Sequence, residues 1–217
     1  LKGRVIDAAQ KGFLDVRIKA LKSLVNLDSE EAIRLLERFV YKGSSDDKKV
    51  YLATAELLSA DINFPFVDTL VKDTDDKIRR SAIAIIGNFL DDKRYMDLFV
   101  GLLMDENIPH EALKVIKEKR LVMFRDRLKS IFDDVNKELW TRYYALTALS
   151  VFEDHSLFDT FVKGLEDNNS IIKIGCIKAL SDLNDMKALD YIRPFTESED
   201  NDLRATAEMA INSLESW

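Results

Sequence analysis

Two histidines, one cysteine and 39 carboxylates against 32 basic side chains are the groups through which this 217-residue chain could do chemistry. His110 and Glu111 stand side by side, an imidazole next to a carboxylate, which is half of what a transition-metal centre requires. Such a centre takes several of these groups converging from facing helices. His155, in Glu153-Asp154-His155-Ser156, has no second imidazole or thiolate near it in sequence and reads as an exposed turn residue. Cys176 has no partner for a disulfide within the chain, which fits a reducing compartment. There is no glycine-rich phosphate loop, no Ser or Cys nucleophile motif and no paired-cysteine zinc spacing. General acid or base work would need two carboxylates in a desolvated cleft, whereas the Asp and Glu residues cluster at helix starts and in turns. The expectation is a chain without catalytic residues, metal or cofactor, whose work is done by a surface.

The elements that present that surface repeat. Asp73 to Asp105 reads as an acidic lead-in, a helical run, a short polar break and a second helical run. Ile78, Ala82 and Ile86 recur at i, i+4 and i+8, the spacing of one helical face. Sliding this frame along the chain gives a column of small residues, Ala20, Ala53, Ala82, Ala112, Ala145, Cys176 and Ala207. Four residues later stand Leu24, Leu57, Ile86, Ile116, Leu149, Leu180 and Ile211, and four residues earlier Val16, Lys49, Ile78, Ile108, Thr141, Ile172 and Leu203. The position after these is basic at Arg17, Arg79, Arg142, Lys173 and Arg204, which suits pairing from one repeat to the next. Asp15, Asp47, Asp76, Asn107, Ser170 and Asp202 are the expected helix caps. Cys176, in the small column, is expected to be buried.

A period of roughly 30 residues with two helices is the signature of an α-solenoid. Asp76-Lys77-Ile78-Arg79 followed by Ala82 and Ile86-Gly87 resembles the short HEAT repeat, the form also found in phycobilin lyase-like proteins. The resemblance implies an all-α superhelix of about seven helical hairpins, at residues 15–43, 46–73, 74–105, 106–134, 135–167, 168–200 and 201–217, after a partial unit at 1–14. It makes residues 1–217 one solenoid domain and implies a scaffold or adaptor role. His110-Glu111 also resembles the His-Glu motif of deoxyhypusine hydroxylase, a di-iron HEAT-repeat enzyme. The equivalent pairs here are Ile18-Lys19, Tyr51-Leu52, Arg80-Ser81, Tyr143-Tyr144, Ile174-Gly175 and Ala205-Thr206. One such pair in seven does not build that centre.

Composition agrees. Seven Gly and three Pro leave few β-type turns, and 33% charged with 47% hydrophobic residues suits stacked amphipathic helices. A formal charge of −7 argues against a general nucleic-acid coat. No apolar run reaches the ~18 to 20 residues of a membrane span, and the opening LKGRVIDAAQKGFL lacks a signal-peptide core, so a cytoplasmic location is expected. Leu1 in place of Met suggests a trimmed or excised chain. Along the chain, Pro65 is expected at the start of a second helix, where the first-turn amides have no internal partner. Pro194 should kink or end its helix. Lys117-Glu118-Lys119-Arg120 offers no breaker between the two helices of unit four, so either a tight turn or one long bent helix is open there.

By the same resemblance, positions two, three and six after the Ile78-type residue line a concave groove. Lys19, Lys22, Arg80, Lys114 and Lys178 are the basic residues there and Glu111 the acid, so the groove should be locally positive. Tyr51, Tyr143 and Tyr144 add aromatic area, with Trp140 at the rim and His110 among the groove positions. Packing between units is the other role open to Trp140 and one of the tyrosines. A basic run at Lys114, Lys117, Lys119, Arg120, Arg125, Arg127 and Lys129 reads either as a solvated face or as further positive surface. These residues predict a groove for an acidic or partly apolar peptide or protein. The rival is nucleic-acid binding in the same groove, by resemblance to the alkylpurine DNA glycosylases built from HEAT-like helices, with LWTRYYAL around Trp140 and Arg142 as its carrier.

Overall fold

Each helix forms where apolar residues return every three or four positions and a short polar side chain closes the first turn. Ile78, Ala82 and Ile86 are all buried, and the Asp75 carboxylate accepts the Lys77 amide at 2.9 Å to start that helix. In the computed structural model, which describes residues 2–105 and 108–216, this recipe gives fourteen α-helices and four short 3-10 helices, with no strand among the described residues. The fold is all-α and built of helical-hairpin repeats. The chain forms two compact units, Leu1–Ala112 and Leu113–Trp217.

In the first unit, α1 (Lys2–Lys11) packs on α2 (Leu14–Leu27), and the hairpins continue as α3 (Ser29–Lys42), α4 (Ser45–Leu52), α5 (Ala60–Leu70), α6 (Asp76–Ile86) and α7 (Lys93–Met104). The first helices of the hairpins, α2, α4 and α6, lie side by side in one layer, and α3, α5 and α7 form the other. Between the layers Leu21, Leu36, Val50, Val67, Ile83 and Phe99 are excluded from solvent, each contributing about 1.5–3 kcal/mol. α8 (His110–Lys119) runs from this unit into the second. There, α9 (Arg125–Asp133) packs on α10 (Leu139–Ser150), α11 (Phe158–Gly164) on α12 (Ser170–Asp182), and α13 (Ala188–Ile192) on α14 (Asn201–Glu215), with α10, α12 and α14 side by side. Ala145, Leu149, Ile172, Cys176, Leu180 and Ala207 occupy their buried faces as the columns predict.

Three local expectations differ from the structure. In the second repeat the buried set is Val50, Thr54 and Leu58, one residue later than the column of Lys49, Ala53 and Leu57. The slip is already present within α4, which stops at Leu52 and is followed by the 3-10 turn Ala55–Leu57. In the first repeat Val16 is likewise exposed, while Arg17, Leu21 and Leu24 are buried. The capping side chains stand one to three residues ahead of those expected: Ser44, in a capping box with Asp47, then Asp75, Asn169 and Asp200. A cap must lie outside the helix to reach back to its second or third amide; Asn107 lies outside the described residues. Pro65 sits inside α5 rather than at its start, on the exposed side where water can serve the carbonyl it leaves unbonded.

Of the two possibilities open in sequence for the junction after α8, the structure takes the first. The break is a tight turn, made by Arg120 in the left-handed region at φ 49°, followed by the 3-10 turn Val122–Phe124. Pro194 behaves as predicted, with α13 ending at Ile192 and a 3-10 turn carrying the proline.

Candidate partner-binding surface

The basic column explains itself once its partners are placed. Arg142 is buried; its Nε donates to the Phe132 carbonyl at 3.1 Å, its Nη2 to Asp167 at 2.5 Å, and the guanidinium lies 5.9 Å from the Phe132 ring centroid. Arg17 repeats this arrangement in the first unit, bonding the Ala9 carbonyl at 2.9 Å, pairing with Asp47 and lying over Phe39. Each arginine thus ties the preceding helix to the acidic lead-in of the following repeat. Burial pushes the Asp47 carboxyl up, but hydrogen bonds from Ser44 and Arg17 outweigh it and hold the group below the usual carboxylate range. Arg79 and Arg204 bond the backbone carbonyls of Asp73 and Ser198, at 2.6 and 2.7 Å, and Lys173 lies over the Phe195 ring. This column builds the fold.

Of the groove residues expected in the first unit, Tyr51 is a correction. It is fully buried, its hydroxyl donates to Asn63 Oδ1 at 2.9 Å, and its ring meets Phe66 edge-on. The one-residue slip of the second repeat turns it inward, so it offers no partner surface. Arg80 is exposed but lies 2.7 Å from Asp76 and 3.5 Å from Glu111. With Arg79 and the half-buried His110 these groups line a pocket of about 370 Å³ in which two guanidinium groups face two carboxylates. An anion gains little there. Lys19 and Lys22 stand exposed on α2 without aromatic neighbours among the described ring contacts.

The second unit brings the remaining expected residues together. Tyr143 and Tyr144 stand one turn of α10 after Trp140, with ring centroids 5.7, 6.5 and 6.1 Å apart. Trp140 is 44% exposed and the two tyrosines are half-buried. The Lys114 ammonium sits 5.0 Å from the Tyr144 ring centroid, where the ring face attracts it. The rings are too close together to admit a further cation between them, so the cluster acts as an aromatic surface. A β-carbon at Gly175 on α12 would lie 2.6 Å from Leu146 and 3.5 Å from Tyr143. Glycine therefore lets α12 close onto α10 and brings the Tyr143 ring edge beside it. One turn further along α12 stands Lys178, exposed, with no carboxylate within ion-pair distance among the described residues.

Beside Lys178 opens a pocket of about 280 Å³ between α12 and α14, walled by Thr206, Met209 and Ala210 and bordered by Asp182 and Ser213. Met209 is 73% exposed. Burial, reinforced by the nearby Glu153 charge, pushes the Asp182 carboxyl up. This pocket escaped the reading from sequence, although its signal was present: Thr206 and Met209 fall on groove positions of the last repeat. Within the basic run, by contrast, Arg120 is paired with Glu153 at 2.8 Å, Arg125 with Asp154 at 2.9 Å, and Lys129 with Asp133 at 2.5 Å. Cys176 is buried against Gly164, and burial pushes its thiol up. Among the described residues no group of three His, Cys, Asp or Glu is placed to hold a metal, and no helix is long and apolar enough to cross a membrane.

Stacked hairpins tied by buried arginine–aspartate pairs define an α-helical repeat protein. Residues 126–212 match the family model of HEAT repeats. No curated protein matches the sequence significantly. Human deoxyhypusine hydroxylase in complex with glycerol is similar at 15% identity over 100% of this chain and 97% of its own, with a TM-score of 0.42. Computationally designed armadillo repeat proteins for modular peptide recognition are similar at 15% identity over 90% and 97%, with a TM-score of 0.48. An engineered protein matches at 14% identity over 99% and 96%, with a TM-score of 0.39.

Proposed function

We propose that the chain is a non-catalytic interaction scaffold, and that its second unit holds an acidic or partly apolar peptide or protein surface. The observation that carries this reading is the aromatic cluster of Trp140, Tyr143 and Tyr144 beside Lys114 and Lys178. The buried arginine–aspartate pairs already join the repeats, and a half-exposed tryptophan is not needed for that purpose. Aromatic side chains are the residue types that dominate binding energy at partner surfaces, and ammonium groups in a chain of net charge −7 give that face a sign of its own. A cytoplasmic site of action belongs to the same reading and rests on composition.

The test is selection of a displayed peptide library on the wild-type chain and on a Trp140→Ala, Lys178→Glu variant. Sequences enriched on the wild type and lost on the variant are expected. Equal enrichment on both, or none on the wild type, would overturn the reading. Labelled duplex and single-stranded DNA and RNA should not bind at low salt; binding that falls steeply as salt rises would indicate phosphate contacts and replace a peptide partner with a nucleic acid.

A further inference from the structure

We infer that the strip from Trp140 and Tyr143 across Lys178 to the pocket under Met209 takes an extended acidic peptide that inserts one large apolar side chain between α12 and α14. This rests on the scaffold reading and names the partner's chemistry. The strip is continuous through three consecutive repeats of one unit. The Tyr143 ring edge lies beside Gly175, Lys178 follows on the same face of α12, and Lys178 shares the pocket with Thr206 and Met209 of α14.

Neighbouring helices pack about 8–10 Å apart, so α10 to α14 spans about 16–20 Å. An extended chain covers that distance with about six residues at roughly 3.3 Å each. The strip's charges dictate where the peptide's groups go. Lys114 and Lys178 present ammonium groups at its aromatic end and centre, which favours carboxylates there. The pocket itself is lined by Met209, Ala210 and Thr206 with Ser181 and Ser213, and its two charges, Lys178 and Asp182, are of opposite sign. Those charges offset each other, so a carboxylate entering the pocket would lose hydration without a net attraction, whereas an aliphatic or aromatic side chain would cover Met209, now largely in water. The volume of about 280 Å³ admits one such side chain.

Fluorescein-labelled octapeptides with a central Phe, Leu or Ala flanked by Glu or by Lys, read by fluorescence anisotropy, test this. The Glu-flanked Phe and Leu peptides should bind, and the central Ala should weaken binding about tenfold, the loss of one buried side chain. Met209→Glu should weaken it by a similar factor and Met209→Leu should leave it intact, while circular dichroism shows both variants folded. Lys178→Glu should weaken binding about fivefold at low salt and less at high salt. Lys-flanked peptides binding as well as Glu-flanked ones, or indifference to Met209→Glu, would overturn the inference. If no acidic octapeptide binds while library selection still enriches Trp140-dependent sequences, the inference fails and the scaffold reading stands. If both experiments give nothing, both fail.

Discussion

Replacing Arg142 by alanine removes an ion pair to Asp167, a hydrogen bond to the Phe132 carbonyl and the guanidinium packed over the Phe132 ring. Both partners of the pair are only 11% exposed, so Asp167 would keep a mostly desolvated charge without its cation. Truncating one member of a buried pair costs about 3–5 kcal/mol, and the residual exposure places Arg142→Ala near the lower end, at about 3 kcal/mol. With a urea dependence of about 1–3 kcal/mol per molar, the unfolding midpoint should fall by roughly 1–3 M. Arg142→Met keeps apolar contact with Phe132 and isolates the charge, while Arg142→Met combined with Asp167→Leu removes both desolvation costs and should recover much of the loss. Arg34→Ala is the reference, because its side chain, paired with Glu31 one turn away, is 60% exposed and surface pairs contribute about 0–1 kcal/mol. A loss below about 1 kcal/mol for Arg142→Ala would refute the reasoning, since the pair would then behave as a surface pair.

The acid response has a calculable sign. Asp154, hydrogen-bonded by Ser156 and Arg125, and Asp47 both have carboxyls held below the usual range. The stability they contribute is complete above about pH 4, the unfolded value, and is lost as pH falls through their lower folded values. Urea titrations from pH 7 to pH 3 should show it, with Asp47→Asn less stable at pH 7 and flatter in acid. Asp182, pushed up by burial and then by Glu153, acts in the opposite sense, so Asp182→Asn should raise stability at pH 7. Glu153, at φ 53°, should gain about 1 kcal/mol on replacement by glycine, despite losing an exposed pair with Arg120; a destabilised Glu153→Gly would show that pair to be the stronger effect. Gly164→Ala should destabilise by about 1–3 kcal/mol, because its β-carbon would run into the Cys176 sulfur and lie 2.8 Å from Phe132 Cζ. In the native wild type Cys176 should resist iodoacetamide and label only on unfolding.

The repeat was legible because its cause is local. A buried helical face imposes apolar and small residues at fixed spacing, and the Ile78, Ala82 and Ile86 stripe is buried as expected. What the spacing did not carry was rotation: in the first two repeats the inward face starts one residue later than the column, at Arg17 and Val50, and Tyr51 moved from expected surface to core with it. The turn after α8 was undecided in sequence because arginine adopts the left-handed conformation that glycine usually signals. Pairing was also invisible. Arg80 and Arg125 look like available positive charge until Glu111 and Asp154 are found beside them.

A repeat protein offers its own control for separating structure from function, because every hairpin must solve the same packing problem. The Arg142 position is occupied by Arg17, Arg79, Lys173 or Arg204 in other repeats, and wherever its partners are seen they are neighbouring carbonyls, acids or rings. The pair Tyr143-Tyr144 has one aromatic counterpart, Tyr51-Leu52, whose tyrosine is fully buried; the others, Ile18-Lys19, Arg80-Ser81, His110-Glu111, Ile174-Gly175 and Ala205-Thr206, carry no Phe, Tyr or Trp. Stacking therefore does not require aromatic rings at those positions. Tyrosines and a half-exposed Trp140 in one repeat, followed by glycine where the next helix closes in and an exposed methionine in the repeat after, are departures from the pattern that fall on one continuous strip. Exposed apolar side chains stand elsewhere too, at Phe13, Met104, Met123 and Met186, so exposure alone does not single out this face; what supports a partner here is the clustering of three rings on α10, with Lys178 and the Met209 pocket following on α12 and α14.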